Sequence, residues 1–363
     1  MTPRDSIEQS LNADFRLPLV DCDAYTLKRK GEEEAQMNVT TIPLTRIGCL
    51  ALAAGTILFQ CACSGGARHE STEVYDLVTA NTHIAYWEEA SAGLAAAAKD
   101  LGVRAETIGP DTYDPQAEKD ALLKAIHQNL KPAGFLVSAA DPDLMRDAID
   151  EAVAAGIPVI TIDADSPKSK RQFFMGTNNY QAGQMGGEIV AKELNGKGNV
   201  VVFSLPAQEN QEERLEGYKR AFARQPGIKI TQVVDVHGEP AKVFDMTREL
   251  TSKKDAPDAF VCLESQSCAE VADALDRANV RGKTIVAMDT IDNTLSWIQK
   301  GMIRATVAQK PYTMAYYGLR AIDDLHHNKP SSLESNRSYV PIFMDTGVTI
   351  VDKSNVAAFQ NKH

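Results

Sequence analysis

Short apolar runs alternate with longer segments of mixed polarity from Val74 to the end of the chain. The runs are rich in β-branched residues, which is typical of strands buried on both faces of a parallel sheet. Two of the longer segments begin with Asp-Pro, at Asp114 and Asp141, so that a capping residue precedes a proline at the first helical position. The alternation requires helical crossovers and predicts parallel sheets with helices on both faces.

This pattern occurs twice, in two halves that share no visible residue-level repeat. The predicted strands are 74–78, 103–108, 134–137, 159–162 and 172–175 in the first half, and 200–203, 228–234, 259–263, 285–288, 303–307, 340–343 and 348–351 in the second. A length of 363 residues exceeds the usual size of one domain. The sequence therefore predicts an α/β protein of two lobes.

Two of the predicted strands end in a carboxylate, at Asp163 and at Asp289. The carboxyl ends of the strands are where open α/β sheets bind ligands. An Asp after a strand is also common as a turn or cap residue, so neither is diagnostic alone. Their matching positions in the two halves favour a cleft that both acids face.

Other polar and aromatic residues fall at the same edges. They are Asn81 and Thr82 after the first strand, Tyr86 and Trp87 at the start of the next helix, Arg214 at a helix start, and Glu264 and Gln309 after later strands. Charged groups bind hydroxyls strongly, and adjacent rings offer a flat apolar face. The set predicts a site for a small sugar or polyol. Arg214 alone is equally consistent with a solvated surface charge.

The first part of the chain has the features of a targeting segment rather than of a folded domain. Residues 1–36 show no sustained periodicity, and we expect an untranslated or disordered leader, with translation starting at Met37. Residues 37–63 contain a basic residue, a short apolar run and small residues, the layout of a secretory signal. Cys63 resembles a lipidated lipoprotein cysteine, although Gln60 departs from that pattern. We expect export to the periplasm or the outer face of a bacterial membrane, with a lipid anchor.

Charge and cysteine content narrow the function further. A net charge of −11 argues against nucleic-acid binding, which needs a basic face. No Cys and His pair has metal-binding spacing, so no metal site is predicted. The first strand is not followed by a glycine fingerprint, and no nucleophile elbow occurs, so we expect neither a cofactor nor an enzyme. Cys262 and Cys268 could form a disulfide, but two buried thiols are the commoner arrangement and are expected.

Four segments in this order resemble the type 1 periplasmic substrate-binding proteins of the ribose-binding branch, which are receptors of ABC sugar importers. The segments are Gly156 to Asp163, Arg214 to Tyr218, Val286 to Asp289, and Ala305 to Gln309. The resemblance implies two Rossmann-like lobes that close on a ligand through three hinge crossings. It implies that Tyr86 and Trp87 flank the sugar ring, and that Asp163, Arg214, Asp289 and Gln309 bind its hydroxyls.

The resemblance also sets the expected boundaries and partners. The N-terminal lobe would comprise residues 73–177 and 310–338, and the C-terminal lobe 178–309 and 339–363, with crossings near Thr177, at 309–310 and between Ser338 and Pro341. The implied partner is the membrane permease of an ABC transporter, and we expect a monomer. Two departures from the ribose receptor argue against ribose itself: Ala164 replaces an Arg, and Glu264 replaces an Asn. An amino-bearing ligand therefore stays open.

Two other roles share this fold class. A sugar-responsive transcription regulator would carry an N-terminal DNA-binding module where this chain has an apolar signal, so it is disfavoured. A sensory receptor that signals to a chemoreceptor or kinase is not separable from a transport receptor by sequence.

Overall fold

A computed structural model describes residues 69–70, 72–206, 208–328 and 341–360 of the chain. The expected leader (1–36), the expected export signal (37–63) and the expected lipidation site at Cys63 all lie outside these residues. No helix in the described ranges combines the length and the apolar character that crossing a membrane requires.

Strands and helices alternate as the apolar pattern predicts. In chain order they are β1 (Val74–Val78), α1 (Ala85–Leu101), β2 (Arg104–Ile108), α2 (Pro115–Ile126), β3 (Gly134–Val137), α3 (Pro142–Ala154), β4 (Val159–Ile162), β5 (Phe174–Gly176), α4 (Asn179–Glu193), β6 (Lys197–Ser204), α5 (Glu209–Phe222), β7 (Gly227–Asp235), α6 (Pro240–Ser252), β8 (Ala259–Cys262), α7 (Ser267–Arg277), β9 (Thr284–Met288), α8 (Asp292–Lys300), β10 (Ala305–Ala308), α9 (Pro311–His327), β11 (Phe343–Asp345) and β12 (Thr349–Asp352), followed by a 3₁₀ turn at Val356–Phe359. Asp114 and Asp141 cap α2 and α3 by accepting hydrogen bonds from backbone N–H groups of the first turn.

The strands form two six-stranded sheets, one in each lobe. Their orders are β11-β5-β4-β3-β1-β2 and β12-β10-β9-β8-β6-β7. All neighbours are parallel except β12, which joins the edge of the second sheet antiparallel to β10. Apolar clusters cover both faces of each sheet, which explains why the central strands are continuous apolar runs. The predicted two-lobed α/β fold is confirmed.

The chain passes between the lobes three times, and the three crossings lie side by side. The first is between β5 and α4 and the second between β10 and α9. The third was expected between Ser338 and Pro341, but β11 still belongs to the first sheet, where it pairs with β5. The chain therefore crosses after Asp345, between β11 and β12. Asp345 Oδ1 accepts a hydrogen bond from Asn178 N at 3.1 Å, which links the first and third crossings.

The expectation of two free thiols in the second lobe is wrong, because Cys262 and Cys268 form a disulfide. Cys262 ends β8, and Cys268 lies in the first turn of α7, with the two Cα atoms 5.6 Å apart. This separation is within the range that a disulfide spans. The bridge fastens the loop that contains Glu264 at both of its ends.

Candidate functional site

The two strand-end aspartates adopt the same unusual backbone conformation. Asp163 follows β4 with φ of 61°, and Asp289 follows β9 with φ of 65°. Left-handed φ values are uncommon for residues other than glycine, and Asp and Asn tolerate them better than most. Both side chains are buried, with 8% and 6% of their surface exposed. The equivalent bend at two sheets turns both carboxylates into the space between the lobes.

Asp163 joins side chains from both lobes. The Tyr86 hydroxyl, from the first turn of α1, donates to Asp163 Oδ1 at 2.6 Å. Asn210 Nδ2, from α5 of the second lobe, donates to Asp163 Oδ2 at 3.3 Å. The Trp87 ring lies edge-on to the Tyr86 ring, with 5.1 Å between centroids. The first lobe therefore presents two adjacent rings and a carboxylate, and the second lobe reaches this carboxylate with an amide.

Asp289 and Gln309 form a pair at the second crossing. The Gln309 side-chain amide Nε2 donates to both oxygens of Asp289, at 3.3 and 3.2 Å. The oxygen of the same amide, Oε1, accepts from the Thr177 hydroxyl at 2.9 Å and from Arg214 at 2.7 Å. Thr177 lies in the first crossing. Gln309 thus connects the site to two of the three hinge segments.

Arg214 is the central cation of the site, and its position depends on close packing of α4 against α5. A Cβ atom at Gly183 would lie 2.0 Å from the Arg214 backbone oxygen, and one at Gly217 would lie 2.2 Å from the Tyr180 oxygen. Only glycine allows this approach. The buried guanidinium donates to Leu263 O at 2.7 Å, in addition to Gln309, and its Nε donates to Asn179 at 2.9 Å.

Burial dominates the electrostatics of the two acids. Desolvation raises the pKa of Asp289 to about 7 although the Arg214 charge opposes the change. Desolvation also raises the pKa of Asp163, again against Arg214 and against the Tyr86 hydrogen bond. Burial, followed by the charges of Asp163 and Asp289, raises the pKa of the Tyr86 hydroxyl well above its usual range. The Tyr86 hydroxyl therefore keeps its proton and donates a hydrogen bond. The site contains two acids, Asp163 and Asp289, and one guanidinium, that of Arg214.

These side chains line a cavity of about 100 Å³ between the lobes. Of the residues predicted from the sequence, the structure places eight around it: Asn81, Tyr86, Trp87, Asp163, Arg214, Glu264, Asp289 and Gln309. Thr82 is not among the described lining residues, because the chain turns there and its hydroxyl donates to Pro110 O at 3.1 Å.

Glu264 lines the cavity, but its carboxylate accepts hydrogen bonds from backbone groups that follow it in the chain. Its two carboxylate oxygens accept hydrogen bonds of 2.7 Å from the backbone N–H groups of Gln266 and Ser267. These groups belong to the N-terminal end of α7, where a carboxylate satisfies donors that lack helical partners. The extra acid that distinguishes this chain from the ribose receptor therefore caps its own helix.

Several lining residues were not found by sequence reasoning. They are Tyr113, Ser138, Gln208, Asn210, Gln211, Ser265 and Gln266, with small or apolar residues between them. Ser138 follows β3 and could have been found by the strand-end rule that identified Asp163. Asn210 precedes Arg214 by four residues, so the two share one helical face.

Asn210 is also the least satisfied polar side chain of the cavity. It is 4% exposed, and its Oδ1 atom is buried without a hydrogen-bond partner in the structure. A buried acceptor without a donor costs about 1–3 kcal/mol. A donor on a bound molecule would remove this cost.

The lobes contact each other around the cavity, so the structure represents a closed arrangement. Gln208 Nε2 of the second lobe donates to the Tyr113 hydroxyl of the first at 3.2 Å. Gly238 packs directly on the Tyr113 side chain, since a Cβ there would lie 2.8 Å from the Tyr113 Cβ. Together with the Asp163–Asn210 hydrogen bond, these contacts join the two lobes beside the cavity.

Comparisons with known proteins show what the chain as a whole is similar to. The model of the periplasmic binding protein domain matches residues 75–330. The ribose import binding protein RbsB of Bacillus subtilis (strain 168) is 27% identical over 203 residues, which cover 54% of this chain and 63% of that protein. The RbsB of Haemophilus influenzae is 25% identical over 53% of this chain and 65% of its own length. The chain thus spans less than two thirds of these two relatives.

Solved structures match over a larger share of the chain. AraP, an arabinose binding protein from Geobacillus stearothermophilus, is 30% identical with a TM-score of 0.68, and the match covers 79% of this chain and 99% of AraP. A sugar ABC transporter sugar-binding protein from Bacillus halodurans is 33% identical with a TM-score of 0.70, over 79% of this chain and 99% of its own.

Proposed function

Because the chain belongs to the type 1 periplasmic binding proteins that bind sugars, we propose that it captures a small neutral sugar or polyol between its lobes and delivers it to an ABC transporter. The chain is thus a binding protein and not an enzyme, as the sequence predicts. The observation that carries the proposal is the cavity that both lobes line with hydrogen-bonding groups around one aromatic face.

The chemistry of the lining fits hydroxyl groups. A hydroxyl both donates and accepts, so it can bind the acceptor atoms of Asp163, Asp289 and Asn210 and the donor atoms of Arg214. The Asn210 Oδ1 atom, which has no partner within the chain, supports a donor on the ligand. The Trp87 side chain supplies an apolar surface for the C–H face of a ring. The cavity volume of about 100 Å³ favours a small ligand over a long oligosaccharide.

A neutral ligand is favoured over an amino-bearing one. The second possibility depended on an excess of acid from Glu264, but the carboxylate of Glu264 binds the helix terminus of α7. Burial moreover raises the pKa of Asp289 to about 7, so this carboxyl is partly protonated at neutral pH. The relatives bind different sugars by name, ribose and arabinose among them, so the identity of the sugar is a matter for experiment.

The proposed mechanism is closure of the lobes on the ligand. The ligand binds one lobe first, and hydrogen bonds to the other lobe shift the population toward the closed form. Closure excludes water, so a hydroxyl in the wrong configuration leaves a buried polar group unpaired and costs roughly 1–3 kcal/mol. Crossings beside Thr177, Gln309 and Thr346 would serve as the hinge.

A thermal-shift screen against pentoses, hexoses, polyols and amino sugars tests the proposal. A ligand at ~1,000 times its Kd adds about 4 kcal/mol of stability, which corresponds to a rise in Tm on the order of 10 °C. Asp289→Asn should remove most of this rise, whereas Asp292→Asn, at an exposed position three residues later, should retain it. A screen in which no sugar or polyol raises Tm, or one in which only amino sugars do, would refute the proposed ligand class.

Delivery to a permease, a lipid anchor at Cys63 and a monomeric state are parts of the same proposal. A strain without the protein should lose uptake of the sugar that the screen identifies. A strain that retains uptake but no longer responds to the sugar would instead support the sensory role.

A further inference from the structure

Four potential metal ligands converge at the amino end of β1, on the sheet edge opposite the cavity. They are His69 and Glu73, which precede β1, and Asp323 and His327, which lie in the last turns of α9. One ligand atom from each lies within 4.8 Å of the others. This cluster is separate from the proposed sugar site, whose β1 contribution comes from residues after the strand.

The His327 ring is oriented as a ligating histidine is. Its Nδ1 atom lies 2.9 Å from the backbone oxygen of Asp323, one helical turn earlier, and donates its proton there. This tautomer leaves a lone pair on Nε2, which lies 3.3 Å from Glu73 Oε1. Histidine ligands of metal ions usually donate their second ring N–H to a carbonyl or a carboxylate.

The other contacts have the spacing of one coordination sphere. His69 Nε2 lies 2.9 Å from Asp323 Oδ1, and the Tyr75 hydroxyl donates to the same oxygen at 3.0 Å, which orients the carboxylate. A tetrahedral zinc ion with bonds of about 2.0–2.2 Å places neighbouring ligand atoms roughly 3.3–3.6 Å apart. An ion would therefore fit after an outward shift of the pair at 2.9 Å and an inward shift of the ligand atoms that lie farther apart, within 4.8 Å.

Glu73 supplies an independent reason for a cation. Its side chain is 10% exposed, and its Oε2 atom is buried without a hydrogen-bond partner in the structure. A buried carboxylate oxygen without a partner is unfavourable. Two neutral imidazoles and two carboxylates carry a net charge that one divalent ion balances.

We propose that His69, Glu73, Asp323 and His327 form a binding site for a divalent transition-metal ion of the zinc class. The ion would fasten the segment that follows the export signal to the end of α9. Sequence reasoning missed this site because its ligands come from two distant segments of the chain. Imidazole and carboxylate ligands suit zinc more than magnesium or calcium, which prefer oxygen ligands only.

Calorimetric titration of zinc into the untagged full chain, stripped with a chelator, tests this proposal. We expect one saturable site per chain, and at least a tenfold weaker affinity in His327→Ala and in the near-isosteric Glu73→Gln. His127→Ala is the matched control, because it removes an exposed histidine that pairs with Glu151 elsewhere on the same lobe. Cobalt in place of zinc should give the visible absorption of a tetrahedral nitrogen and oxygen site.

The variants also separate metal binding from folding. In chelator, the Tm of Glu73→Gln should stay close to that of the unchanged chain, and added zinc should raise Tm only in the unchanged chain and in His127→Ala. Sugar binding should persist in all four proteins, so failure of this proposal does not affect the proposed function. Absence of saturable zinc binding, or equal affinity in Glu73→Gln, would overturn the site and leave a hydrogen-bonded cluster.

Discussion

Replacement of Arg214 by methionine should destabilise the protein by about 3–5 kcal/mol at neutral pH, the usual cost of removing one partner from buried opposite charges. The guanidinium is 2% exposed and donates to Asn179, Leu263 O and Gln309. Each hydrogen bond from a charged donor contributes about 1.5–3 kcal/mol, so the three bonds alone could exceed this range. Protonation of the nearby acids limits the loss, because a neutral carboxyl does not need the cation.

The same reasoning predicts a pH dependence. The Asp289 carboxyl has a pKa of about 7 in the folded protein, above its usual value of 3.8. Its contribution to stability is therefore complete at acidic pH and is lost as the pH rises toward about 7. Without Arg214, which lowers this pKa, the loss should continue to higher pH. Below about pH 7 this carboxyl is protonated in both folded proteins, so the difference in unfolding free energy between the variant and the unchanged chain should grow as the pH rises through about 7 and above it.

Urea unfolding at several pH values measures both effects. Arg220→Met on the same helix is the matched control, because its exposed side chain should contribute no more than about 0.5 kcal/mol. Arg214→Lys keeps the charge but not the planar fork, so its loss should be intermediate. A loss below about 1 kcal/mol for Arg214→Met at every pH would refute the assignment of Arg214 as the central buried cation.

Three further predictions test other parts of the structure. Trp87→Leu should weaken binding of the identified sugar at least ~10-fold by calorimetry, which is about 1.4 kcal/mol. Trp297→Leu is the control and should not weaken binding, because the Trp297 ring contacts Lys300 instead. Equal affinities of the two variants would remove Trp87 from the site. Burial raises the pKa of the Glu118 carboxyl well above 4.5, so the contribution of Glu118 to stability falls as the pH rises above 4.5. Glu118→Gln should abolish this dependence of stability on pH. In thermal melts at alkaline pH, the variant should be more stable than the unchanged chain. Reductant should lower stability by about 2 kcal/mol through the Cys262–Cys268 bridge, and should have no effect on a chain with alanine at both positions.

The sequence predicts the parts of this fold whose cause is local. Buried strands such as Val159–Ile162 are continuous apolar runs because helices cover both of their faces. Asp163 and Asp289 were predicted because a strand-end position needs only the strand to be identified. β11 was misassigned because it is a three-residue edge strand, too short for its apolar pattern to specify which sheet it joins.

The missed features depend on contacts that the linear pattern does not contain. Asn210 lies on a helix whose face toward the cleft depends on how α5 packs against α4. Glu264 lines the cavity as predicted, but the linear pattern did not show that the helix that starts three residues later also donates to its carboxylate. The Cys262–Cys268 bridge depends on how the turn after β8 places two Cβ atoms, and the same turn accommodates two thiols equally well.

The position of Gln309 suggests how the proposed binding and the proposed closure would be one event. Its backbone N–H and side chain hold Asp289, and its Oε1 atom accepts from Arg214 and from Thr177 in the first crossing. A ligand that pulls on Asp289 or Arg214 therefore acts on residues already bonded to the hinge segments. Since Gln309 directly follows β10, the second crossing begins within the site itself. Closure then needs no further residues to couple it to binding. The hydrogen bonds of Gln309 that a ligand would strengthen are the same ones that fix the relative position of two crossings.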